Sequence, residues 1–133
     1  MRHTIFRTLG LLMALSYAQS APADLAVAPY EHRPAVQNAL LAERLGTLLP
    51  QLMRETQIDM WLVIAREYNE DPVFLSLAPK PRFTARRTTM LVFFDRGDAG
   101  VEKLTVSRYP LGSMYEAAWE GGDLNAQWQR LAE

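Results

Sequence analysis

Three carboxylates, Glu67, Glu70 and Asp71, fall in one short stretch, with Arg66 before them and Tyr68 between. Carboxylates grouped just beyond a strand end could act as a general base or hold a metal, because α/β folds commonly place their sites there. A solvated loop with an acidic bias at a helix N-terminus uses the same residues without chemistry. Histidine decides for the second. Only His3 and His32 exist, one near the start of the chain and one in a segment without periodicity, so neither is placed to join the carboxylates. A Ser-His-Asp triad and a histidine-bearing zinc site therefore have nothing to build on. The chain has no cysteine, which removes disulfides, thiolate metal sites and thiol chemistry. Asp95 and Asp98 flank a turn and read as turn formers. Gly97, Gly100, Gly112, Gly121 and Gly122 match neither G-x-G-x-x-G nor the P-loop pattern. Arg82, Arg86 and Arg87 are the basic cluster, and they would either bind an anion or pair with the Glu67–Asp71 loop. Pairing is the simpler arrangement, since both segments are polar and lead to or from apolar strands. The residues expected to form an interaction loop are thus Arg66, Glu67, Glu70, Asp71, Arg82, Arg86 and Arg87. No catalytic, cofactor-binding or metal-ligating residue is assigned.

The elements that must position this loop are legible from periodicity. Between Ala35 and Thr56 the residues Leu40, Leu41, Leu45, Leu48, Leu49, Leu52 and Met53 recur at helical spacing. Pro50 lacks an N–H and crowds the carbonyl of Gly46, so a kink or break is expected near Gly46 and Thr47, with Thr47 capping a second helix. Met60 to Ala65 is apolar without alternation, which predicts a strand covered on both faces. Pro72 can open a short helix through Leu77, with Asn69 or Asp71 near its cap. Thr88 to Asp95 and Val101 to Tyr109 predict a β-hairpin across the turn Arg96–Gly100. Asp123 is expected to cap a last helix with Leu124, Trp128 and Leu131 on one side. Trp61, Trp119, Trp128, Phe93 and Phe94 are expected in the core, while Tyr109, Tyr115 and Trp119 are also candidates for an interface. The order is helix, strand, short helix, strand, strand, helix. It predicts an α/β fold with a mixed sheet, containing a β-hairpin and flanked by helices.

At 133 residues, 49% hydrophobic and 22% charged, the chain has room and composition for one globular domain. Its net charge of −1 and lack of a basic block exclude the concentrated positive surface that nucleic acid requires. The start is different in kind. Arg2, His3 and Arg7 precede an apolar run from Thr8 to Ala18, and small residues follow through Ala23. That order predicts a secretory signal peptide over residues 1–23, cleaved after Ser20 or Ala23. Its apolar run is about half of the roughly 20 residues that a bilayer-spanning helix needs. After cleavage no membrane attachment is expected, and the mature protein would be exported, periplasmic or secreted. Residues 24–34 read as an irregular leader and 35–133 as the domain.

Four segments carry a resemblance. They are the helix Arg44–Glu55, the strand Ile58–Ile64 with its Ile-Asp-Met-Trp-Leu-Val pattern, the loop Arg66–Pro72, and Arg86–Phe94. In order and spacing they resemble the N-terminal, non-catalytic domain of the pita-bread metallopeptidases, the family of Xaa-Pro aminopeptidase, prolidase and creatinase. The resemblance spans roughly Arg44 to Glu133. It implies a creatinase N-terminal-like mixed sheet, here incomplete at its C-terminal end, and a role in oligomerisation and access to the active site. The family's chemistry implies two Asp, one His and two Glu holding a divalent metal pair, Mn or Zn, in a following catalytic domain. No position of this chain matches that set, so the metal pair and catalysis are expected only in that C-terminal half, which would also be the domain's partner alongside further copies of itself. Two other readings compete. One is a stand-alone periplasmic binding or interaction module using the 66–71 loop and Arg82–Arg87. The weakest is a complete small hydrolase built on Glu67 and Asp71.

Overall fold

The computed structural model describes residues 27–82 and 84–133. The expected signal peptide, 1–23, lies outside them. A 3-10 turn, Tyr30–His32, leads into helix α1, Arg33–Glu43, so the leader ends earlier than the expected helix start at Ala35. Pro34 sits in the first turn of α1, where a missing N–H leaves no bond unmade. His32 is exposed, 4.0 Å from Glu31.

Pro50 neither breaks the helix nor leaves Thr47 as a cap. A π-helical segment, Arg44–Leu48, joins α1 to helix α2, Leu49–Glu55, with Leu49 N donating to Arg44 O five residues back. Thr47 stays helical and its Oγ1 donates to Glu43 O at 2.8 Å. The wide turn has a packing consequence. Buried Leu41, Leu45, Leu49 and Met53 are spaced by four, and in a regular α-helix each step would rotate about 40° away from the core. One wider turn takes up that drift and keeps all four on the sheet.

The sheet has four strands in the order β1-β2-β3-β4: β1 Met60–Arg66, β2 Thr88–Asp95, β3 Val101–Ser107 and β4 Glu116–Ala117. The first three are antiparallel neighbours, with Met60 opposite Phe94 and Phe94 opposite Glu102. The short β4 pairs parallel to β3, which makes the sheet mixed. The hairpin turns through Arg96–Gly100 as expected, although β3 stops at Ser107 rather than Tyr109. Two helices complete the described fold: α3, Pro72–Leu77, and α4, Leu124–Ala132. Their caps are the aspartates just before them: Asp71 accepts from Phe74 N and Asp123 from Ala126 N, each at 2.8 Å. No helix among the described residues is long and apolar enough to cross a membrane.

The core divides by sheet face. On one face Val63, Ala65, Leu91 and Phe93 pack under the α1–α2 helix and the wholly buried Phe74 of α3. Trp61 stacks on Phe93 with centroids 5.3 Å apart, and Tyr115 meets Phe93 edge-on at 6.0 Å. On the other face Met90, Val92 and Val106 pack against Leu104, Ala118, Trp119 and Leu131. Here α4 departs from its expected orientation. Leu124 and Trp128 are exposed, and Gln127, only 4% exposed, points inward. Its Nε2 donates to Thr88 O at 2.9 Å and Val106 O at 2.8 Å, which satisfies a buried amide without apolar packing.

Strand β1 also departs from expectation. It is an edge strand, and its second face is bare: Met60, Leu62 and Ile64 are 50%, 41% and 38% exposed. These three share a face with Phe94, Val92 and Met90, their partners in register, but α4 reaches only the β2–β3 side. An apolar run therefore reads as doubly covered when only one of its faces is. Asp95 N donates to Asp59 O, and Glu67 N to Arg87 O. In an antiparallel pair this phase turns the backbone of the odd-numbered residues toward β2 and that of Met60, Leu62 and Ile64 toward the open edge.

Candidate functional site

The expected interaction loop begins where β1 ends. Asn69 N donates to Arg66 O at 2.9 Å, closing a tight turn in which Tyr68 takes a positive φ of 68°. The segment leading into β2 lies against it, and Arg87 there has φ 55°. Such conformations are uncommon for residues with a side chain and persist when neighbours hold them. Here the holding bonds are Glu67 N to Arg87 O, 2.6 Å, and Arg87 N to Glu67 Oε2, 3.2 Å. Glu70 Oε1 accepts from Ala85 N at 2.9 Å.

The two segments thus meet, but not through side-chain ion pairs. Glu67 and Glu70 accept from the backbone of Arg87 and Ala85, and Asp71 is committed to the cap of α3. The arginines go elsewhere. Arg82 Nη2 donates to Pro110 O at 3.0 Å, and the Arg86 guanidinium sits 5.2 Å over the Tyr109 ring. All three carboxylates therefore act as fasteners between loops and helix ends. Among the described residues no group of three His, Cys, Asp or Glu side chains is arranged to hold a metal ion.

What the fold does assemble is a basic pocket of about 520 Å3 beside this turn. Arg66 and Tyr68 come from the end of β1, Arg87 from the approach to β2, and Arg108 from just past β3. Trp119 and Leu124 form an apolar wall, and Gln127 lies at the base. Arg108 Nη2 donates to Gly122 O at 3.3 Å. Gly122 has φ 143°, and a Cβ there would meet Ala126 Cβ at 3.2 Å and Trp119 Cζ2 at 3.6 Å, so glycine lets the chain pass the indole. The pocket's two carboxylates, Glu67 and Asp123, each accept from a backbone N–H. Among the described residues, Arg66, Arg87 and Arg108 form no ion pair with a carboxylate.

Of the residues singled out in the sequence, Arg66, Glu67 and Arg87 line this pocket, whereas Glu70, Asp71, Arg82 and Arg86 do not. Arg108, Leu124 and Gln127 carry no sign of a site in the sequence, and Trp119 reads there only as a core or interface residue, because all four lie far along the chain from the loop they join. No local signal marks Arg108, because the expected strand ran through it to Tyr109, whereas β3 ends at Ser107. Elsewhere, burial pushes the Tyr115 phenol well above its ordinary range, and its hydroxyl donates to Leu77 O at 2.9 Å. That tyrosine ties the β3–β4 connection to α3 and faces the core rather than an interface. Comparison of the chain with known protein families, curated proteins and solved structures finds no match.

Proposed function

We propose that the chain is the accessory, non-catalytic N-terminal domain of an exported metallopeptidase of the creatinase and prolidase type. In this reading it serves oligomerisation and access to an active site carried by a following catalytic half. The observation that carries the reading is the bare apolar row of Met60, Leu62 and Ile64 on β1. A domain that packs against a neighbour in its own polypeptide offers such a face, because apolar side chains gathered on one exposed side gain by being covered. The resemblance in Arg44–Glu55, Ile58–Ile64, Arg66–Pro72 and Arg86–Phe94 supports the same reading through its order and spacing. The divalent metal pair and the hydrolytic chemistry belong to the other half, and no residue of this chain is assigned to them.

The test is the size of the native protein in fractionated source cells, using an antibody raised to Arg44–Glu133. A species several times longer than 133 residues in the exported fraction supports the reading. A species of about 110 residues, the chain without its first 23, replaces it with a stand-alone module. In parallel, the purified chain should not cleave Xaa-Pro peptides with Mn or Zn present. Metal-dependent cleavage by this chain alone would overturn the proposal.

A further inference from the structure

We propose that the pocket between the Arg66–Tyr68 turn, Arg87, Arg108 and Trp119 binds a small organic anion, a carboxylate or phosphate head on an apolar body. The inference goes beyond the accessory-domain reading and does not depend on it, because every lining residue belongs to this chain. Three observations converge on it. First, three arginines from three separated segments line one cavity, and none of them forms an ion pair among the described residues; Arg108 Nη2 is steadied there by Gly122 O. Guanidinium forks match the geometry of carboxylate and phosphate oxygens and hold them with two parallel bonds. Second, the lining sets three arginines against two carboxylates, Glu67 and Asp123, so it keeps a net positive charge, and each carboxylate is tied by a backbone N–H, of Arg87 and Ala126 respectively. Third, the lining also has an apolar part: the half-buried Trp119 and the exposed Leu124 offer a surface on which a ring or alkyl group can lie.

The positive φ values at Tyr68 and Arg87 fit this role. Both residues line the pocket from a backbone held by reciprocal bonds between Glu67 and Arg87. A pocket of about 520 Å3 accommodates a molecule of the size of a substituted aromatic acid rather than a polymer chain.

The test is titration of the full chain, labelled with nitrogen-15, followed by NMR. Four probes are used: phenylacetate, phenyl phosphate, phenylacetamide and inorganic phosphate. Phenylacetate or phenyl phosphate should saturably shift the Trp119 indole N–H and the Arg66 and Arg87 side-chain signals, and the tighter of the two identifies the head group. The neutral amide and the bare phosphate should bind far more weakly. Arg66→Gln and Arg87→Gln should each weaken binding by about tenfold or more, as expected for loss of a charge-assisted hydrogen bond. Arg96→Gln, which instead removes the pairing with Glu102 at the hairpin turn, should leave binding unchanged. Phenylacetamide binding as tightly as the anions would overturn the proposal, as would inorganic phosphate binding equally well. Unsaturable shifts spread over all arginines would overturn it too, by showing only ionic screening.

Discussion

Asp95 shows how one side chain can fix a turn and dock a helix together. Its carboxylate receives Arg54 Nε at 2.8 Å and Nη2 at 3.0 Å, and also the Gly97 N–H at 3.0 Å. Arg54 Nη2 adds a bond to Gly97 O at 2.7 Å, so the end of α2 is clamped to the hairpin turn. The guanidinium hydrogen bonds hold the Asp95 carboxyl below its ordinary range, and the same contact raises Arg54. A carboxyl depressed in the folded state contributes stability above its unfolded value, about 3.9, and loses that contribution as pH falls through the folded value. Arg54→Met should therefore lower the thermal midpoint at pH 6 relative to the parent chain. The gap should narrow steadily below about pH 4 as the parent loses the ionised clamp. Melting curves of both proteins from pH 6 to pH 2 check this; a gap independent of pH would show that Arg54 acts through packing alone.

At the level of elements, α4 is held by a polar contact that apolar periodicity overlooks. Gln127 is buried and spans the carbonyls of Thr88 and Val106, linking the helix to β2 and β3 at once. Gln127→Leu is close in volume and adds hydrophobicity, yet should destabilise the fold by about 1 kcal/mol because the Thr88 carbonyl loses its side-chain donor and the Val106 carbonyl loses its bond from the helix. Urea denaturation measures this; a neutral or stabilising result would mean that water reaches those carbonyls. The elements most legible in the sequence were those with local signals. Asp71 and Asp123 stand immediately before their helices, and the hairpin turn Arg96–Gly100 separates two apolar strands. Elements defined by tertiary partners were not legible. Strand β4 is two residues, Glu116 and Ala117, with no pattern of their own, and exists by pairing with Leu104 and Thr105. The position of Gln127 is likewise set by carbonyls from other strands. The pocket follows the same logic: its Arg66–Glu67 and Arg87 portions were visible as polar segments flanking strands, while Arg108 and Trp119 arrive only through sheet and connection geometry.

On the whole-molecule scale, the protein is lopsided. One sheet face is closed by α1, α2 and α3, while the other is closed by α4 only over β2 and β3, leaving the edge strand bare. Residues that alternate between β2 and open solvent along β1 should differ in how readily their amide protons leave. Trp61, Val63 and Ala65 face β2 with their backbone, whereas Met60, Leu62 and Ile64 face outward. In deuterated water the outward amides of the isolated chain should lose their protons within the dead time of a mixing experiment, while the inward ones persist as long as the sheet itself. The strand would then show a two-residue rhythm in isotope uptake, read residue by residue by NMR. Slow exchange at all six positions would instead mean that the edge has already been captured by another strand.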